Sequence, residues 1–207
     1  MDFDELKKLK SFMVETTKEV GDLIQGMFGN HGNVEIKSGP LDVVTDADKK
    51  ADALFTKRIT DQFADHGIIS EELPAYNSHK DFVWIIDPID GTLNYATGID
   101  TYAIIVGLRY KSEMILSCVL NPVNGQMYVA ERGKGVVRNG VPVYCSTQEE
   151  VLDSIGLTND RISPLRMDIF ERMMAAYGNK GVWIGSNGCT GVSCGLIADG
   201  RKDWYIC

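Results

Sequence analysis

The apolar residues change their period near Gly67, and that change sorts the chain into two kinds of structure. Before it, Phe3, Leu6, Leu9, Met13, Val20, Leu23, Ile24 and Met27 recur at helical spacing among lysines and glutamates, with a stop at Gly29-Asn30. This predicts an amphipathic helix over 3–28. A second helix opens at Thr45, an N-cap with Asp48 three residues on, and continues through Ala51, Leu54, Phe55, Ile59 and Phe63 to Gly67. From Ile68 the apolar runs are short: 68–69, 82–86, 102–108, 114–120 and 127–130. They are bounded by Pro74, Pro88, Gly91, Lys111-Ser112, Asn121-Pro122 and Asn124-Gly125, which predicts strands, several in hairpins. Further on come a helix over 164–177, a strand over 182–184, a helix over 190–198 closed by Gly200, and a strand from Trp204.

With 207 residues, 44% apolar and 24% charged, the composition is that of a globular protein that buries one core. No repeat or long low-complexity linker divides it, so a single domain over 1–207 is expected, with 146–154 as a candidate joint between subdomains. A net charge of −8 argues against a broad nucleic-acid footprint and against anionic membranes, so an anionic substrate must be held locally. No apolar run approaches the roughly 20 residues of a membrane span, and the start Met1-Asp2-Phe3-Asp4-Glu5 lacks signal-peptide order. The expectation is a soluble, cytoplasmic protein. Five scattered cysteines without a Cys-x-x-Cys pair read as small buried hydrophobes in a reducing compartment. His31, His66 and His79 read as surface residues, and Trp84, Trp183 and Trp204 as core. Gly133-Lys134-Gly135 and Asn139-Gly140 lack phosphate-loop and dinucleotide spacing and read as hairpin turns.

Three acidic clusters carry the chemistry. In the first, the apolar run Trp84-Ile85-Ile86 delivers Asp87 and Asp90 on a turn shaped by Pro88 and Gly91, with no lysine or arginine between Trp84 and Ala103. Two carboxylates so placed repel unless a cation lies between them, which favours a hard divalent ion such as Mg²⁺; capping residues of a plain turn remain the alternative. The second is Ile68-Ile69-Ser70-Glu71-Glu72-Leu73-Pro74, where strand alternation would let only one glutamate face a given site, or else a solvated acidic loop. The third, Lys37-Ser38-Gly39-Pro40-Leu41-Asp42-Val43-Val44-Thr45-Asp46-Ala47-Asp48, leads into a helix, whose dipole favours Asp46 and Asp48 without any function.

Taken in order and with their spacing, the three clusters resemble the inositol monophosphatase family of Mg²⁺-dependent, lithium-sensitive phosphatases. Asp87-Pro88-Ile89-Asp90-Gly91-Thr92-Leu93-Asn94 is similar to its first signature, Glu71-Glu72 to its Gly-Glu-Glu segment, and 41–48 to its upstream acidic segment. Gly188-Cys189-Thr190-Gly191, followed by 198–205, is similar to its Gly-Ser-Ala-Ala helix and the strand after it. The resemblance implies an α+β fold, a layered α/β sandwich of mixed sheets between helices, sugar-phosphatase-like, possibly dimeric. It further implies that Glu71, Asp87 and the Ile89 carbonyl bind one Mg²⁺, and that Asp87 and Asp90 share a second. Asp48 and Thr92 would orient or deprotonate the attacking water. The Gly91 and Thr92 amides, with the Thr92 hydroxyl, would hold the phosphate of a small phosphorylated metabolite.

Two features depart from the family pattern. Ser70 stands where the family carries glycine before its glutamates. The family also continues beyond the strand matching 204–206 into a Trp-Asp-x-Ala segment whose aspartate completes the second metal site, whereas this sequence ends at Cys207 and holds no Trp-Asp pair. The expectation is a weakened second metal site and an exposed sheet edge, in a shortened copy or one whose partner subunit covers the gap. Inositol or sugar monophosphate is the first expectation for substrate. The family also hydrolyses histidinol phosphate, fructose bisphosphate and 3′-phosphoadenosine 5′-phosphate. The competing reading is a metal-binding or scaffold homologue without turnover.

Overall fold

The computed structural model describes residues 3–39, 41–158, 164–177, 180 and 182–207. Met1, Asp2 and Pro40, which entered the readings above, lie outside the described residues. Helix α1 (Phe3–Met27) is followed by the hairpin β1 (Val34–Gly39) and β2 (Asp42–Thr45), then α2 (Asp46–Gln62) and β3 (Gly67–Ser70). Next come β4 (Phe82–Asp90), the short helix α3 (Thr92–Thr97), and β5 (Ala103–Tyr110), β6 (Glu113–Asn121), β7 (Gln126–Glu131), β8 (Gly135–Arg138) and β9 (Val141–Val143). The last part holds β10 (Ile155–Thr158), α4 (Pro164–Tyr177), β11 (Trp183–Ser186), α5 (Thr190–Ala198) and β12 (Trp204–Ile206).

Strands β3 to β9 form one seven-stranded sheet in chain order, parallel at β3–β4 and antiparallel elsewhere. Successive side chains of a strand point to opposite faces, and the two faces meet different helices. Trp84, Ile86, Ile104, Val106, Leu108, Leu116, Cys118 and Leu120 face α1 and α2, where Leu9, Phe12, Met13, Val20, Ile24, Ala51, Phe55 and Ile59 complete the core. The alternate residues Ala103, Ile105 and Val119 face α5, and a side chain at Gly191 would lie 3.1 Å from each of them. Glycine there lets the helix lie close against the sheet. Beyond α5 lies the all-parallel sheet β11–β10–β12. A mixed sheet and a parallel one thus alternate with helical layers in an α+β sandwich, as expected, and 144–154 joins one sheet to the other.

Local chemistry accounts for the elements that position the site. Thr45 caps α2 with a full capping box: its hydroxyl accepts from the Ala47 and Asp48 amides, and Asp48 accepts from the Thr45 amide. Residues 132–134 and 139–140 form the turns between β7, β8 and β9, with Asn139 and Gly140 both at positive φ.

Several sequence expectations are corrected. Asp87 to Asp90 is not a turn after a strand: β4 runs through it, with Asp87 opposite Ile105 and Asp90 opposite Ala103, so three steps on β4 match two on β5. Pro88, which has no amide proton for a ladder, occupies this bulge. The chain turns only at Gly91, at φ 86°. The β1–β2 hairpin, α3 and the strands β8 to β10 add to the elements read from periodicity, being too short to register it. His66 is not a surface residue: it stacks between Phe63 and Phe82 and accepts a 3.1 Å hydrogen bond from the Trp84 indole. Trp183 is 77% exposed rather than core, and Cys145, Cys194 and Cys207 are exposed, leaving Cys118 and Cys189 as the buried pair.

Candidate active site

The acids gather where the end of β3, the bulge of β4, the start of α2 and the start of α5 meet. Asp48 is 1% exposed and fully satisfied. Its Oδ2 accepts from the Thr45 amide at 2.8 Å and the Thr45 hydroxyl at 2.5 Å, while its Oδ1 lies 3.2 Å from the Thr92 hydroxyl. Burial holds its carboxyl above the usual range, against the lowering effect of these bonds. Thr92 Oγ1 also lies 2.8 Å from the Ile89 carbonyl, so its single proton has two acceptors.

Asp87 is in the opposite condition. Its Oδ1 is buried without a hydrogen-bond partner among the described residues. Burial, then the charges of Asp90 and Glu71, then a hydrogen bond with Glu71 and the charge of Asp48 push its carboxyl up to about 8. Four carboxyl groups are therefore within electrostatic reach of one another. Such crowding of hard oxygen donors is what a divalent cation relieves, so the donor set fits Mg²⁺.

Two interactions draw the acids outward. Lys37, from β1, places its Nζ 2.8 Å from Glu71 and 2.5 Å from Glu72. Burial would lower the lysine's proton affinity, but the two glutamates outweigh it and raise it. The absence of a basic residue near Asp87 in sequence therefore did not extend to Glu71 in space. Both glutamates meet one lysine because β3 ends at Ser70, so strand alternation no longer applies to them. Asp90 Oδ2 accepts from the Gly191 amide at 2.5 Å and the Cys189 thiol at 2.9 Å, which ties the β4 bulge to α5. Among the described residues no three Asp, Glu, His or Cys side chains already surround one point as a metal shell.

The structure thus brings Asp48, Thr92 and Ile89 into direct contact, joins Glu71 to Asp87, and sets Asp90 beside them. Gly91 supplies the left-handed turn between Asp90 and Thr92; a side chain there would meet the Gly188 and Thr101 carbonyls at 3.1 and 3.2 Å. Asp42 and Asp46 stay outside: they accept from Ser38 and from Asn33. Sequence reasoning missed Lys37 as a partner, the thiol of Cys189 on Asp90, and Asn187, whose carbonyl accepts from Asn94 at 2.9 Å. Lys37 and Cys189 stood inside the quoted motifs, so their proximity to the acids was the available signal. A cavity of about 870 Å³ lies elsewhere, between α1 and β6–β8. Two of its charged lining residues, Lys10 and Glu131, pair with each other, and none of the gathered acids lines it.

Comparison with known proteins decides the family. The model of the inositol monophosphatase family matches residues 5–207. The chain belongs to that family. Human inositol monophosphatase 1 is 28% identical over 209 residues, covering 98% of this chain and 76% of the human protein. A histidinol-phosphatase of Chlorobaculum parvum is 34% identical over 137 residues, covering 66% of this chain and 53% of that protein. A solved IMPase/NADP phosphatase complexed with Mg²⁺ and phosphate superposes with a TM-score of 0.83 at 24% identity, covering 96% of this chain and 74% of that one, and shows the same fold. The family is one of phosphoric monoester hydrolases, and this member keeps its layered sandwich. Among the described residues, no helix is long and apolar enough to cross a membrane.

Proposed function

We propose that this chain is a Mg²⁺-dependent, lithium-sensitive phosphatase of a small phosphomonoester, inositol or sugar monophosphate first. Glu71, Asp87, the Ile89 carbonyl and Asp90 are its metal ligands. The supporting observation is Asp87, a buried carboxyl with an unpartnered oxygen among like charges, held near 8 by that environment. The Mg²⁺ complex of the structural relative supports the same choice of ion. When bound, divalent ions at these carboxylates supply charge neutralisation for the phosphoryl oxygens and lower the pKa of a ligated water.

The remaining work falls to the chain. Thr92 Oγ1 can accept a proton from the attacking water as its own proton passes to Asp48 Oδ1, 3.2 Å away. Burial makes Asp48 a better base than an exposed aspartate, and the Thr45 bonds on its other oxygen fix its orientation. The Gly91 and Thr92 amides, at the left-handed turn of Gly91, would hold phosphate oxygens without a basic patch. In this reading 1–207 acts as one unit, because Asp90 on the large sheet and Gly191 on α5 belong to a single site.

The test is phosphate release from inositol, sugar, histidinol and nucleotide monophosphates, with and without Mg²⁺ and Li⁺. The expected result is release from at least one monoester that requires Mg²⁺ and is suppressed by Li⁺. Binding of Mg²⁺ with no release from any monoester would instead identify a homologue without turnover. Release that is indifferent to Mg²⁺ contradicts the assigned ligands.

A further inference from the structure

Helix α5 meets Asp90 at its start, through the Gly191 amide and the Cys189 thiol. Its far end carries a separate set of contacts. Asp199, the residue that ends α5, has a side chain only 1% exposed. Its Oδ2 accepts from the Tyr128 hydroxyl at 2.8 Å and from Arg138 Nη1 at 2.6 Å, and Arg201 Nε lies 2.9 Å from both carboxylate oxygens. Arg201 Nη2 in turn donates to Gln126 at 2.8 Å and to Tyr128 Oη at 2.5 Å. Gln126 and Tyr128 belong to β7 and Arg138 to β8, so the cluster fastens the last turn of α5 to the large sheet.

For α5 alone an acid at this position is a poor choice. The helix dipole disfavours negative charge at a C-terminus, and the desolvation of a buried carboxylate can consume what its ion pairs return. What the cluster gains is position. Between the two ends of α5, a side chain at Gly191 would lie 3.1 Å from Ala103, Ile105 and Val119, and one at Gly195 would lie 2.6 Å from the Tyr128 ring. These glycines set how close the helix lies to the sheet, but they offer no side chain that would fix its shift along its own axis. Asp199 supplies that stop eight residues after Gly191, about 12 Å along the helix.

We propose that Asp199 is a positioning residue: with Tyr128, Arg138 and Arg201 it fixes the axial register of α5 on the large sheet, and so sets where Gly191 and Cys189 hold Asp90. The consequence for metal rests on the reading of Asp90 as a ligand, whereas the register of α5 does not. An asparagine at this position keeps the shape but gives up the charge and one acceptor, and it turns an N–H₂ toward the guanidinium groups. The far end of the helix is then released, and the grip on Asp90 loosens with it.

The experiment compares the parent with Asp199→Asn, Arg138→Met, Arg138→Lys and Ile59→Val, all metal-free at the start and all well below their Tm. Two quantities are read: hydrogen exchange of the Gly191 amide by NMR, and Mg²⁺ affinity by calorimetry. Asp199→Asn is expected to speed exchange at Gly191 about tenfold, as an easier local opening does, and to weaken Mg²⁺ binding about tenfold, as disturbed support behind a ligand does. Arg138→Met should move both in the same direction by less, and Arg138→Lys, which keeps a cationic donor, should return both toward the parent. Ile59→Val thins the core under α2, on the other face of the sheet, and is expected to lower Tm and move neither quantity. Parent-like exchange at Gly191 in Asp199→Asn and Arg138→Met overturns the positioning role, and so does faster exchange matched by Ile59→Val. If Asp199→Asn does not fold, Arg138→Met decides alone. Faster exchange with unchanged Mg²⁺ affinity overturns the link from α5 to a metal ligand at Asp90. A parent that binds no Mg²⁺ overturns the metal-site reading itself, and exchange at Gly191 still decides the register of α5.

Discussion

Asp48 and Asp87 are two buried carboxyl groups of one site in opposite states. Asp48 has a donor for each oxygen: two from Thr45 and one from Thr92. Asp87 has an unpartnered oxygen and three acids around it. The first is complete within the chain and doubles as the closing half of a helix cap. The second is short of positive charge among the described residues: Lys37, which reaches this cluster, pairs with Glu71 and Glu72. The difference separates an acid satisfied within the chain from one that, in the proposed reading, a cation would satisfy.

The largest effect should come from removing the incomplete acid. Asp87→Asn is expected to lower Mg²⁺-dependent phosphate release by about a thousandfold or more, since metal charge stabilisation is worth several kcal/mol. The same change should raise the metal-free Tm. The folded protein keeps the Asp87 proton up to about pH 8, whereas the unfolded chain releases it near 3.8, so metal-free stability falls as pH rises across that interval. Melting curves at several pH values should show this slope in the parent and its loss in the variant. If the variant melts lower at pH 7, the contrast between the two acids is wrong.

Removing the satisfied acid should do the reverse to stability. Asp48→Asn is expected to slow turnover by about a hundredfold, through loss of the base. It should also cost about 1 kcal/mol of stability through the broken capping box. Chemical denaturation and steady-state kinetics check the two effects. Parent-like turnover would remove Asp48 from the proton path.

Two smaller effects sharpen the comparison. Lys37→Met frees Glu71 from an ion pair that is partly exposed, and should tighten Mg²⁺ binding a few-fold, in line with the modest worth of such pairs. Calorimetry that finds weaker binding would instead make Lys37 a supporting part of the site. Smallest is the effect at His66, whose proton affinity is lowered by burial among Phe63, Phe82 and Trp84. Because its folded value lies below 6.5, the unfolded chain binds more protons between the two values. Stability is therefore full above 6.5 and declines as pH falls toward the folded value. His66→Asn should flatten that acid-side slope.

The long helices were legible because each spans enough residues to repeat its period, and the apolar runs 102–108 and 114–120 because turn residues bound them. The capping box was legible because it is local, with Thr45 and Asp48 in one turn. The bulge at Pro88 was not, because a strand that bends and a strand that ends begin with the same residues; only the pairing with β5 separates them. The site's acids were legible as motifs, but their partners were not. Lys37 lies 34 residues from Glu71, and Gly191 lies 101 residues from Asp90. Such contacts are made by the fold rather than by neighbouring residues. His66 was misread for the same reason, since Phe63, Phe82 and Trp84 enclose it from two different elements.

The central claim is that Asp87 is held in its unfavourable state for a divalent cation. Isothermal titration of Mg²⁺ into the parent and into Asp87→Asn, both metal-free at the start, tests it most directly. The account predicts saturable binding by the parent and none by the variant under the same conditions. Equal binding by the two proteins, or none by the parent, would contradict it.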